Sequence, residues 1–511
     1  MNAATWLLEG SERRPDELAF AQQGKYLTHR EWRERVLAVA AYLRASGVEP
    51  ADRVASIAAN GPDAAAVLVG TMLVGATAVP LPASDPAPRL GRMLARAKPA
   101  AIFADGRAAT VAKELAPNAI VFGLAEIAAA SASSAAPARG ARGASTAPDD
   151  PALVLFTSGS TGEPRGVVLS HENIVANTTS ILASLPIRET DRMMAVLPFY
   201  YSFGASVLFT HVRAGAGIVV NNQFMFADRV LEEMVREQCT TFAGVPSTYQ
   251  LLLRRSSLPK MTFPHLRYVQ QAGGRLPPNF VRELAERLPH VEIWLMYGQT
   301  EATARLSCLD PARLADKAHT IGRPIPGVTL EIVRPDGTPA PQGEIGELVA
   351  RGKNIGLGYL DEPEATAETF VDGSLRTGDL GKVDEDGFFV LVDRAKDFLK
   401  CAGYRVAMKE IEDVLVTFPG VVEAAVVGIP DDLQGEAVQA FIVHPRGDDA
   451  RKDLESHCKR ALLPHVQPRV TVFVDSLPKT AAGKLAREKL RSMTSTSTST
   501  STSPGTRNEP S

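Results

Sequence analysis

Apolar helices and apolar strands alternate over two long stretches of this chain, and this alternation constrains the fold more than any other feature. In the first stretch the pattern predicts a helix over 30–46 and strands over 53–58 and 100–104. Strands that alternate with helices pair in parallel and carry helices on the faces of the sheet. A second alternating stretch begins with a strand over 153–156 and continues to about residue 309, so we expect two parallel-type sheets.

The most apolar run, from Ala64 to Leu81, is near the lower length limit for a membrane span. Gly75 and Pro80 interrupt it and basic flanks are missing, which favours a buried helix that ends near Gly75 and then a core strand over 76–80. The N-terminus lacks a basic start followed by a long apolar segment, so no secretory signal is expected. We therefore expect no stable membrane insertion.

Charge and cysteine content exclude several classes of function. The chain has 511 residues with Lys+Arg 55 and Asp+Glu 58, and 55 − 58 gives a net charge of −3. That balance provides no general attraction to nucleic acid or to an anionic membrane. None of the four cysteines lies in a C-x-x-C pair, so a structural zinc or a disulfide framework is not expected, and a cytoplasmic location fits.

The pattern changes after residue 321, which indicates further structural units. Short strands separated by Gly-rich turns predict a small mostly-β unit up to residue 392, and mixed helices and strands after it predict a compact α+β piece. We expect a large N-terminal domain over 1–394, a smaller C-terminal domain over 395–493 and a disordered tail over 494–511. The tail is a Thr/Ser repeat with no apolar residues to bury.

A loop rich in glycine and hydroxyl groups follows the strand over 153–156. It reads Thr157-Ser-Gly-Ser-Thr-Gly-Glu-Pro-Arg165. Glycine lets the backbone approach an anion closely, and hydroxyl and N–H groups donate to phosphate oxygens. Arg165 adds a charge-assisted contact. The spacing does not meet the Walker A pattern, so the loop predicts another kind of phosphate site.

Five motifs, in order along the chain, resemble those of the adenylate-forming superfamily, which includes acyl-CoA synthetases, luciferases and the adenylation domains of peptide synthetases. They are the glycine-rich loop, Tyr297-Gly-Gln-Thr-Glu-Ala-Thr, Leu375-Arg-Thr-Gly-Asp-Leu, the stretch over 393–406, and Pro478-Lys-Thr-Ala-Ala-Gly-Lys-Leu-Ala-Arg. The resemblance covers nearly the whole chain apart from 128–149 and the tail. It implies an α/β fold in which a large N-terminal adenylation domain with two parallel-type sheets and a small β unit precedes a mobile α+β C-terminal domain.

The resemblance also implies a reaction in two steps. A carboxylate attacks the α-phosphorus of ATP and pyrophosphate leaves, and a thiol then attacks the acyl adenylate. Mg²⁺ is expected because the first step brings anions together. The thiol is coenzyme A if the protein is an AMP-forming acyl-CoA synthetase. The alternative is the phosphopantetheine of an acyl carrier protein in a natural-product pathway, and the sequence separates these acceptors poorly.

By the same resemblance, one set of residues is expected to bind the nucleotide. Tyr297 stacks on the adenine, Thr300 donates to the α-phosphate, Asp379 accepts from both ribose hydroxyls, and Glu301 binds Mg²⁺. The full set expected around ATP or AMP is Thr157, Ser158, Gly159, Ser160, Thr161, Gly162, Arg165, Gly274, Arg275, Tyr297, Gly298, Gln299, Thr300, Asp379 and Arg394.

The last motif is expected to supply a catalytic cation. In the superfamily the lysine that Lys484 matches contacts the substrate carboxylate and the α-phosphate, and a preorganised cation there is worth about 3–4 kcal/mol. Thr300 and Tyr201 are expected to act with it. Lys396 matches the hinge about which the small domain swings, and Gly403 matches the loop that lines the pantetheine tunnel.

The stretch Leu197-Pro-Phe-Tyr-Tyr-Ser-Phe-Gly-Ala-Ser-Val resembles the aromatic motif beside the acyl pocket. Many relatives have His where this chain has Tyr201, and amino-acid-activating relatives have Asp where it has Gly204. Without that carboxylate an α-ammonium group has no ion pair, so we expect an uncharged acyl group, fatty or aryl. The residues expected to line the acyl pocket are Tyr201, Gly204, Gly244, Gln271, Ala272, Ala302 and Thr303.

A nucleotide-binding protein without catalysis is the alternative from another class. It predicts the loss of Lys484 or Glu301, and both residues are present. Taken alone, Glu301 reads as a solvated carboxylate at a helix start and Lys484 as a solvated lysine in a polar turn, so their meaning depends on the motifs around them. His171 and Glu172 do not form the H-E-x-x-H zinc motif, and we expect His171 to lie on the surface at a helix start.

Overall fold

The computed structural model describes residues 1–127, 143–158, 164–394, 398–401, 404–431, 435–480, 483 and 485–497. The chain divides into two compact units, Met1–Leu391 and Val392–Ser511. The division falls inside a strand, Phe389–Arg394. The final helix, Arg487–Ser497, enters the Thr/Ser segment that we expected to be disordered from residue 494, and residues 498–511 lie outside the described part.

The strands of the described chain fall into four sheets. They are β1 Leu18–Gln22, β2 Lys25–Thr28, β3 Arg53–Ala58, β4 Thr77–Pro82, β5 Ala101–Ala104, β6 Ile120–Phe122, β7 Pro151–Ser158, β8 Pro164–Ser170, β9 Arg192–Ala195, β10 Gly217–Val220, β11 Thr241–Gly244, β12 Tyr268–Gln271, β13 Glu292–Tyr297, β14 Ser307–Leu309, β15 Arg323–Pro324, β16 Val328–Val333, β17 Gly346–Gly352, β18 Gly358–Tyr359, β19 Phe370–Val371, β20 Ser374–Val383, β21 Phe389–Arg394, β22 Phe398–Cys401, β23 Tyr404–Ala407, β24 Glu423–Asp431, β25 Gly435–Val443 and β26 Val470–Phe473.

The helices of the described chain alternate with these strands. They are α1 Ala3–Arg13, α2 His29–Ala45, α3 Pro62–Leu73, α4 Ala87–Ala97, α5 Gly106–Leu115, α6 His171–Ser184, α7 Ser202–Ala214, α8 Ala227–Arg236, α9 Pro246–Arg255, α10 Pro278–Arg287, α11 Leu314–Lys317, α12 Pro363–Thr369, α13 Met408–Leu415, α14 Arg451–Ala461 and α15 Arg487–Ser497. A single 3₁₀ turn at Thr300–Ala302 follows β13.

Two mixed sheets make up most of the first unit. The nine-stranded sheet has the order β15-β14-β13-β12-β11-β9-β10-β1-β2, and its strands from β13 to β1 are parallel. The seven-stranded sheet has the order β18-β8-β7-β4-β3-β5-β6, and its strands from β7 to β6 are parallel. The prediction of two parallel-type sheets is therefore confirmed, with antiparallel strands added at their edges.

Two smaller sheets complete the fold. Strands β16, β17, β20 and β19 form an antiparallel sheet with β21 beside β20, and we call this sheet the β unit. In the second unit β23, β22, β25 and β24 form another antiparallel sheet, and β26 joins β25 in parallel. Together with helices α13–α15 this sheet gives the α+β unit that the sequence predicted.

Side-chain caps fix the starts of helices α2 and α6. Thr28 and Glu31 form a reciprocal capping box at α2, and Ser170 and Asn173 form another at α6, which satisfies backbone donors that the first helical turn leaves free. The apolar run from Ala64 to Leu81 forms most of α3 and then β4, as predicted. No helix in the described part of the chain is long and apolar enough to cross a membrane.

His171 is a buried residue, and the prediction that it lies on the surface is wrong. Its side chain is 0% exposed, and Nδ1 accepts a hydrogen bond of 3.0 Å from the backbone N–H of Ala3. The first helix, α1, packs over the start of α6 and removes the histidine from water. Burial lowers the pKa of His171 from 6.5 to about 4, so the ring is neutral at neutral pH.

Replacing His171 with Gln is expected to weaken the loss of stability in acid. Because the folded-state pKa of about 4 lies below the unfolded value of 6.5, the unfolded chain binds more protons between these values, and stability falls as pH falls through this range. At about 1.4 kcal/mol per pKa unit, His171 contributes up to about 2 kcal/mol to the difference between pH 7 and pH 5.

Urea unfolding at pH 7 and pH 5 measures this difference in wild type, in His171→Gln and in His265→Gln, which alters an exposed histidine. The pH-dependent difference should shrink only in His171→Gln. A difference that stays the same in that variant would contradict the assignment.

Candidate active site

Parallel strands β9, β11, β12 and β13 end at the same edge of the nine-stranded sheet, and we call this the carboxyl edge. Ligands of open α/β sheets bind outside the carboxyl ends of the strands. The stretches that leave these strands are 196–204, 245–246, 272–275 and 298–306, and they contain ten of the residues predicted to bind the nucleotide or the acid. The topology therefore brings motifs that are distant in sequence to one place.

The predicted adenine and ribose residues are joined directly. Tyr297, the last residue of β13, donates from its hydroxyl to Oδ2 of Asp379 in β20 at 2.6 Å. Asp379 is buried, and its backbone N–H donates to Oγ1 of Thr377 at 3.1 Å. The hydrogen bond connects the carboxyl edge to the β unit and fixes the tyrosine ring against a carboxylate.

The predicted phosphate and metal residues occupy the turn after β13. Oγ1 of Thr300 donates to Oγ of Ser202, at the start of α7, at 3.1 Å. Oε1 of Glu301 accepts from the hydroxyl of Tyr359 at 2.9 Å. Strand β18, which holds Tyr359, pairs with β8 directly after the glycine-rich loop. The strand that follows the phosphate loop is thereby connected to the predicted metal ligand.

Arg165, the predicted phosphate-loop cation, is paired with a carboxylate in this structure. Its Nε lies 3.0 Å from Oε2 of Glu362, and its guanidinium lies 5.3 Å from the centroid of the Tyr359 ring. Arg96 also contacts Glu362. A phosphate would have to share Arg165 with this acid.

Several predicted residues lie outside the described part of the chain. They are Gly159, Ser160, Thr161, Gly162, Lys396, Gly403 and Lys484, together with the side chains of Ser158 and Arg394. Thr157 is described, and its hydroxyl donates to the carbonyl of Arg165 at 3.4 Å, which closes the base of the loop.

The turn after β12 is held by a side chain that we expected in the acyl pocket. Nε2 of the buried Gln271 donates to the carbonyl of Gly274 at 2.8 Å and to that of Ala272 at 3.3 Å. Gly273 has φ +85° in this turn, and Arg275 follows it. Gln271 therefore shapes the turn that bears Gly274 and Arg275.

The turn after β13 depends on close backbone packing at its first glycine. A Cβ on Gly298 would lie 1.9 Å from the carbonyl oxygen of Ala304. The next residue, Gln299, has a buried Nε2 without a hydrogen-bond partner among the described residues. That amide is a donor available to a nucleotide.

Two residues expected to line the acyl pocket also attach this turn to neighbouring segments. Ala302 is buried in the apolar cluster that contains Leu330 and Leu348. Thr303 has φ +65°, and its hydroxyl donates to the carbonyl of Asn354 at 2.7 Å. Both side chains stabilise the turn.

Tyr201 is enclosed by aromatic and charged neighbours. Its ring lies 4.8 Å from that of Tyr200, and Asp85 and Arg89 are close enough to influence its pKa. Burial raises the pKa of the phenol well above its ordinary value of 10, so Tyr201 stays protonated and can donate a hydrogen bond. The side chain can thus serve as a neutral donor where a histidine would titrate.

Gly204 has a packing role that is independent of the substrate. It lies inside α7, and a Cβ there would be 2.0 Å from the carbonyl oxygen of Pro198. Gly244 is also confined, because its Cβ would be 2.7 Å from Cγ2 of Thr248. The packing therefore requires a glycine at position 204, so Gly204 argues against an α-ammonium group but gives no information about an additional anionic group on the acid.

Gly204→Ala is expected to destabilise the protein whatever its substrate. The methyl group would collide with backbone, which cannot move as a side-chain end can, and overpacking of this kind costs at least about 1–3 kcal/mol. Gly91→Ala in α4 is the matched control, because its methyl group would meet Leu115 at 3.4 Å, an ordinary contact. Urea unfolding should show a loss for Gly204→Ala and no loss for Gly91→Ala; equal stabilities would contradict the packing argument.

Sequence reasoning did not select Ser202, Tyr359, Glu362 or Arg305, all of which lie in or next to this site. Each acts through a contact between distant segments, such as the one between Tyr359 and Glu301. The only available signal was at Arg305, where a charge interrupts the mostly apolar run Ala302-Thr-Ala-Arg-Leu. Among the described residues no group of three or more His, Cys, Asp or Glu side chains could hold a metal ion.

Comparison with known proteins places this arrangement in a family. Residues 7–360 match the model of the AMP-binding enzyme family, and residues 410–484 match that of the AMP-binding enzyme C-terminal domain. The chain is 31% identical to a feruloyl-CoA synthase of Amycolatopsis over 490 residues, covering 95% of this chain and 98% of that one. It is 37% identical to a sulfoacetate–CoA ligase of Cupriavidus necator over 355 residues, covering 67% of each chain.

Solved structures agree with this assignment. The anthranilate CoA ligase AuaEII in complex with anthranoyl-AMP has a TM-score of 0.89 with this chain. The two chains are 25% identical, and the match covers 96% of this chain and 97% of that one. The chain belongs to the AMP-binding enzymes of the adenylate-forming superfamily. The predicted family, the α/β fold class and the assignment as an acid–thiol ligase that uses ATP and CoA are confirmed.

Proposed function

We propose that the carboxyl edge is where this enzyme converts a carboxylic acid to an acyl adenylate and then to a thioester of coenzyme A. The observation that carries the proposal is the convergence of two motifs. Tyr297 bonds to Asp379 at 2.6 Å, and the same turn presents Thr300 and Glu301. The end of β13 thus offers a face for a base and a polar turn for phosphates, and β20 supplies an acceptor for a ribose beside it.

Each of these residues has a chemical task that its geometry supports. The Asp379 carboxylate retains acceptor capacity for ribose hydroxyls beside the bond from Tyr297. Thr300 is positioned by Ser202, so its hydroxyl is held at the start of α7. Tyr201 remains a neutral donor beside them, which allows it to orient the acid without adding charge. Preorganised donors of this kind stabilise charge that develops at the α-phosphate.

Glu301 fits a magnesium ion that is also bound by the substrate. Mg²⁺ prefers oxygen ligands and is commonly held by one or two carboxylates together with phosphate oxygens and water, so a cluster of protein ligands is not needed. Glu301 accepts only the Tyr359 hydroxyl among its described hydrogen-bond partners. The ion would neutralise phosphate charge, while the chain's own part is to hold Glu301 in place through Tyr359.

Glu301→Gln is expected to raise the Mg²⁺ concentration needed for half-maximal pyrophosphate release. The amide keeps the shape and the bond to Tyr359 but loses the negative charge that attracts the cation. Glu172→Gln is the control, since Glu172 pairs with exposed Lys353 at 2.6 Å on the surface. A Mg²⁺ titration that is unchanged in Glu301→Gln would exclude the metal role.

Lys484→Ala is expected to remove most adenylation and to spare thioester formation from preformed adenylate. The lysine would place positive charge on the carboxylate and the α-phosphate, and losing it costs about 10²–10³ in rate for the first step. Single-turnover measurements of each half-reaction separate the two steps. Equal losses in both would count against Lys484 as the adenylation cation.

Pyrophosphate release against a panel of acids tests the proposed function as a whole. Relatives at comparable identity are named for feruloyl and sulfoacetate groups, so similarity alone does not select the acid for this chain. Free coenzyme A and a holo acyl carrier protein, offered in parallel, test the acceptor. If none of the acids supports pyrophosphate release, the ligase proposal is overturned. If only the carrier protein is acylated, the acyl acceptor is the carrier and not coenzyme A. A cytoplasmic location remains a prediction.

A further inference from the structure

Arg305 is a buried cation at the carboxyl edge. It lies between the turn after β13 and the start of β14, and it is 2% exposed. No described residue forms a hydrogen bond or an ion pair with its guanidinium, and Nε is buried without a partner. The contact that its guanidinium does make is with the face of Phe203, whose ring centroid lies 4.9 Å away.

Burial without a counter-charge is costly, which makes this arginine unusual within the molecule. Burial lowers the pKa of Arg305 to about 10, and the group that acts on its charge is a thiol, Cys308, not a carboxylate. Two other shielded arginines are paired: Nε of Arg267 lies 3.5 Å from Asp191, and Nη1 of Arg487 lies 2.6 Å from Glu412. A charge taken out of water needs such a partner.

The backbone around Arg305 is fixed, so its position is not the result of a loose loop. Asn177 on α6 accepts from the N–H of Arg305 at 3.3 Å and donates to its carbonyl at 2.9 Å. Asn354 donates to the same carbonyl at 3.1 Å. These amides serve the main chain and leave the guanidinium without a partner.

Phe203 connects Arg305 to the part of the site that handles the acid. It follows Ser202, which accepts from Thr300, and it precedes Gly204. Its ring packs against an apolar cluster that includes Ala272 and Met296, and Ala272 was expected to line the acyl pocket. The unpaired cation thus lies behind an aromatic ring at the apolar side of the carboxyl edge.

We propose that Arg305 binds a second anionic group on the acid substrate, a carboxylate or a sulfonate remote from the carboxylate that is adenylated. This inference rests on the proposed ligase function and specifies its substrate class. A planar guanidinium can donate two parallel hydrogen bonds to either group, and both bonds form where water is excluded. The acid would supply the missing counter-charge. The expectation of an uncharged acyl group had rested on the glycine at position 204. Close packing on Pro198 is a separate reason for a glycine there.

Matched pairs of acids test the proposal by pyrophosphate release. The pairs are butanoate with butanedioate, propanoate with 3-sulfopropanoate, and benzoate with 4-carboxybenzoate, so that each pair differs in one anionic group. Wild type should have the higher kcat/KM for the anionic member of at least one pair. Comparison of the carboxylate pairs with the sulfonate pair then shows which anionic group the enzyme prefers.

Arg305→Met should reverse that preference. Loss of one partner of a buried charge pair is expected to lower kcat/KM for the anionic acid by about 30-fold or more, while the uncharged member changes by less than about threefold and the KM for ATP is unchanged. Arg305→Lys, which keeps the charge but not the paired donors, should fall between them. Arg229→Met is the control, because Arg229 is an exposed arginine that lies 5.1 Å from the Phe226 ring.

Thermal unfolding provides a readout that a merely structural arginine would not give. The anionic acid alone should raise the Tm of wild type and not that of Arg305→Met, because a ligand that binds only the folded state stabilises it. Removing an unpaired buried charge should leave the Tm of the free variant unchanged or higher. If Arg305→Met does not fold, Arg305→Lys and the wild-type Tm shifts carry the test.

The outcomes separate this inference from the ligase function. Pyrophosphate release with uncharged acids preferred in every pair would overturn the inference and leave the ligase standing. Equal losses on both members of a pair, or a raised KM for ATP in Arg305→Met, would also overturn it, since Arg305 would then serve the fold or the nucleotide. No release with any acid would overturn the ligase proposal and the inference with it.

Discussion

The hydrogen bond between Tyr297 and Asp379 is the contact on which the architecture of the site depends. β13 ends at the carboxyl edge, and β20 belongs to a different sheet, so this bond directly joins the two residues predicted to contact the adenine and the ribose. The turn that follows Tyr297 is then anchored by its own contacts: Thr303 donates to Asn354, and Gly298 packs on the backbone of Ala304. Because these contacts anchor the turn, it can hold Thr300 and Glu301 in place although it is not part of a strand.

In the described part of the predicted phosphate site, arginines are paired with a carboxylate. Glu301 and Glu362 lie on either side of Tyr359, the first through its hydroxyl and the second through Arg165 above its ring. This arrangement keeps Arg165 in a defined position and pairs its charge with a carboxylate.

The sequence predicted the elements of the fold better than the contacts of the site. Strand β3 was predicted at its observed bounds, 53–58, because a short apolar run between turn signals has few alternatives. His171 was misplaced, since a helix start is usually exposed and only the packing of α1 over α6 buries it. Gly204 was interpreted as a substrate-selecting residue because amino-acid-activating relatives have Asp at this position. Its close packing on Pro198 can be seen only in the three-dimensional structure. The sequence also does not show which charged residues form ion pairs, so it could not distinguish unpaired Arg305 from paired Arg267.

An unpaired buried cation selects substrates mainly through what it rejects. With a dianionic acid bound, the Arg305 guanidinium regains the hydrogen bonds that it lost on burial, whereas an acid without the second anion fills the same space and leaves the charge unpaired in an apolar setting. Sites that hydrogen-bond a polar group discriminate far more strongly against its absence than apolar pockets discriminate between chain lengths. The stacking of Phe203 on the cation does not remove this bias, because a ring face offers only about 0.5–2 kcal/mol and no hydrogen-bond acceptor of the strength of a carboxylate. Selectivity would then follow from the missing counter-charge of Arg305. The main chain around Arg305 is held by Asn177 and Asn354, which prevents the guanidinium from moving into water.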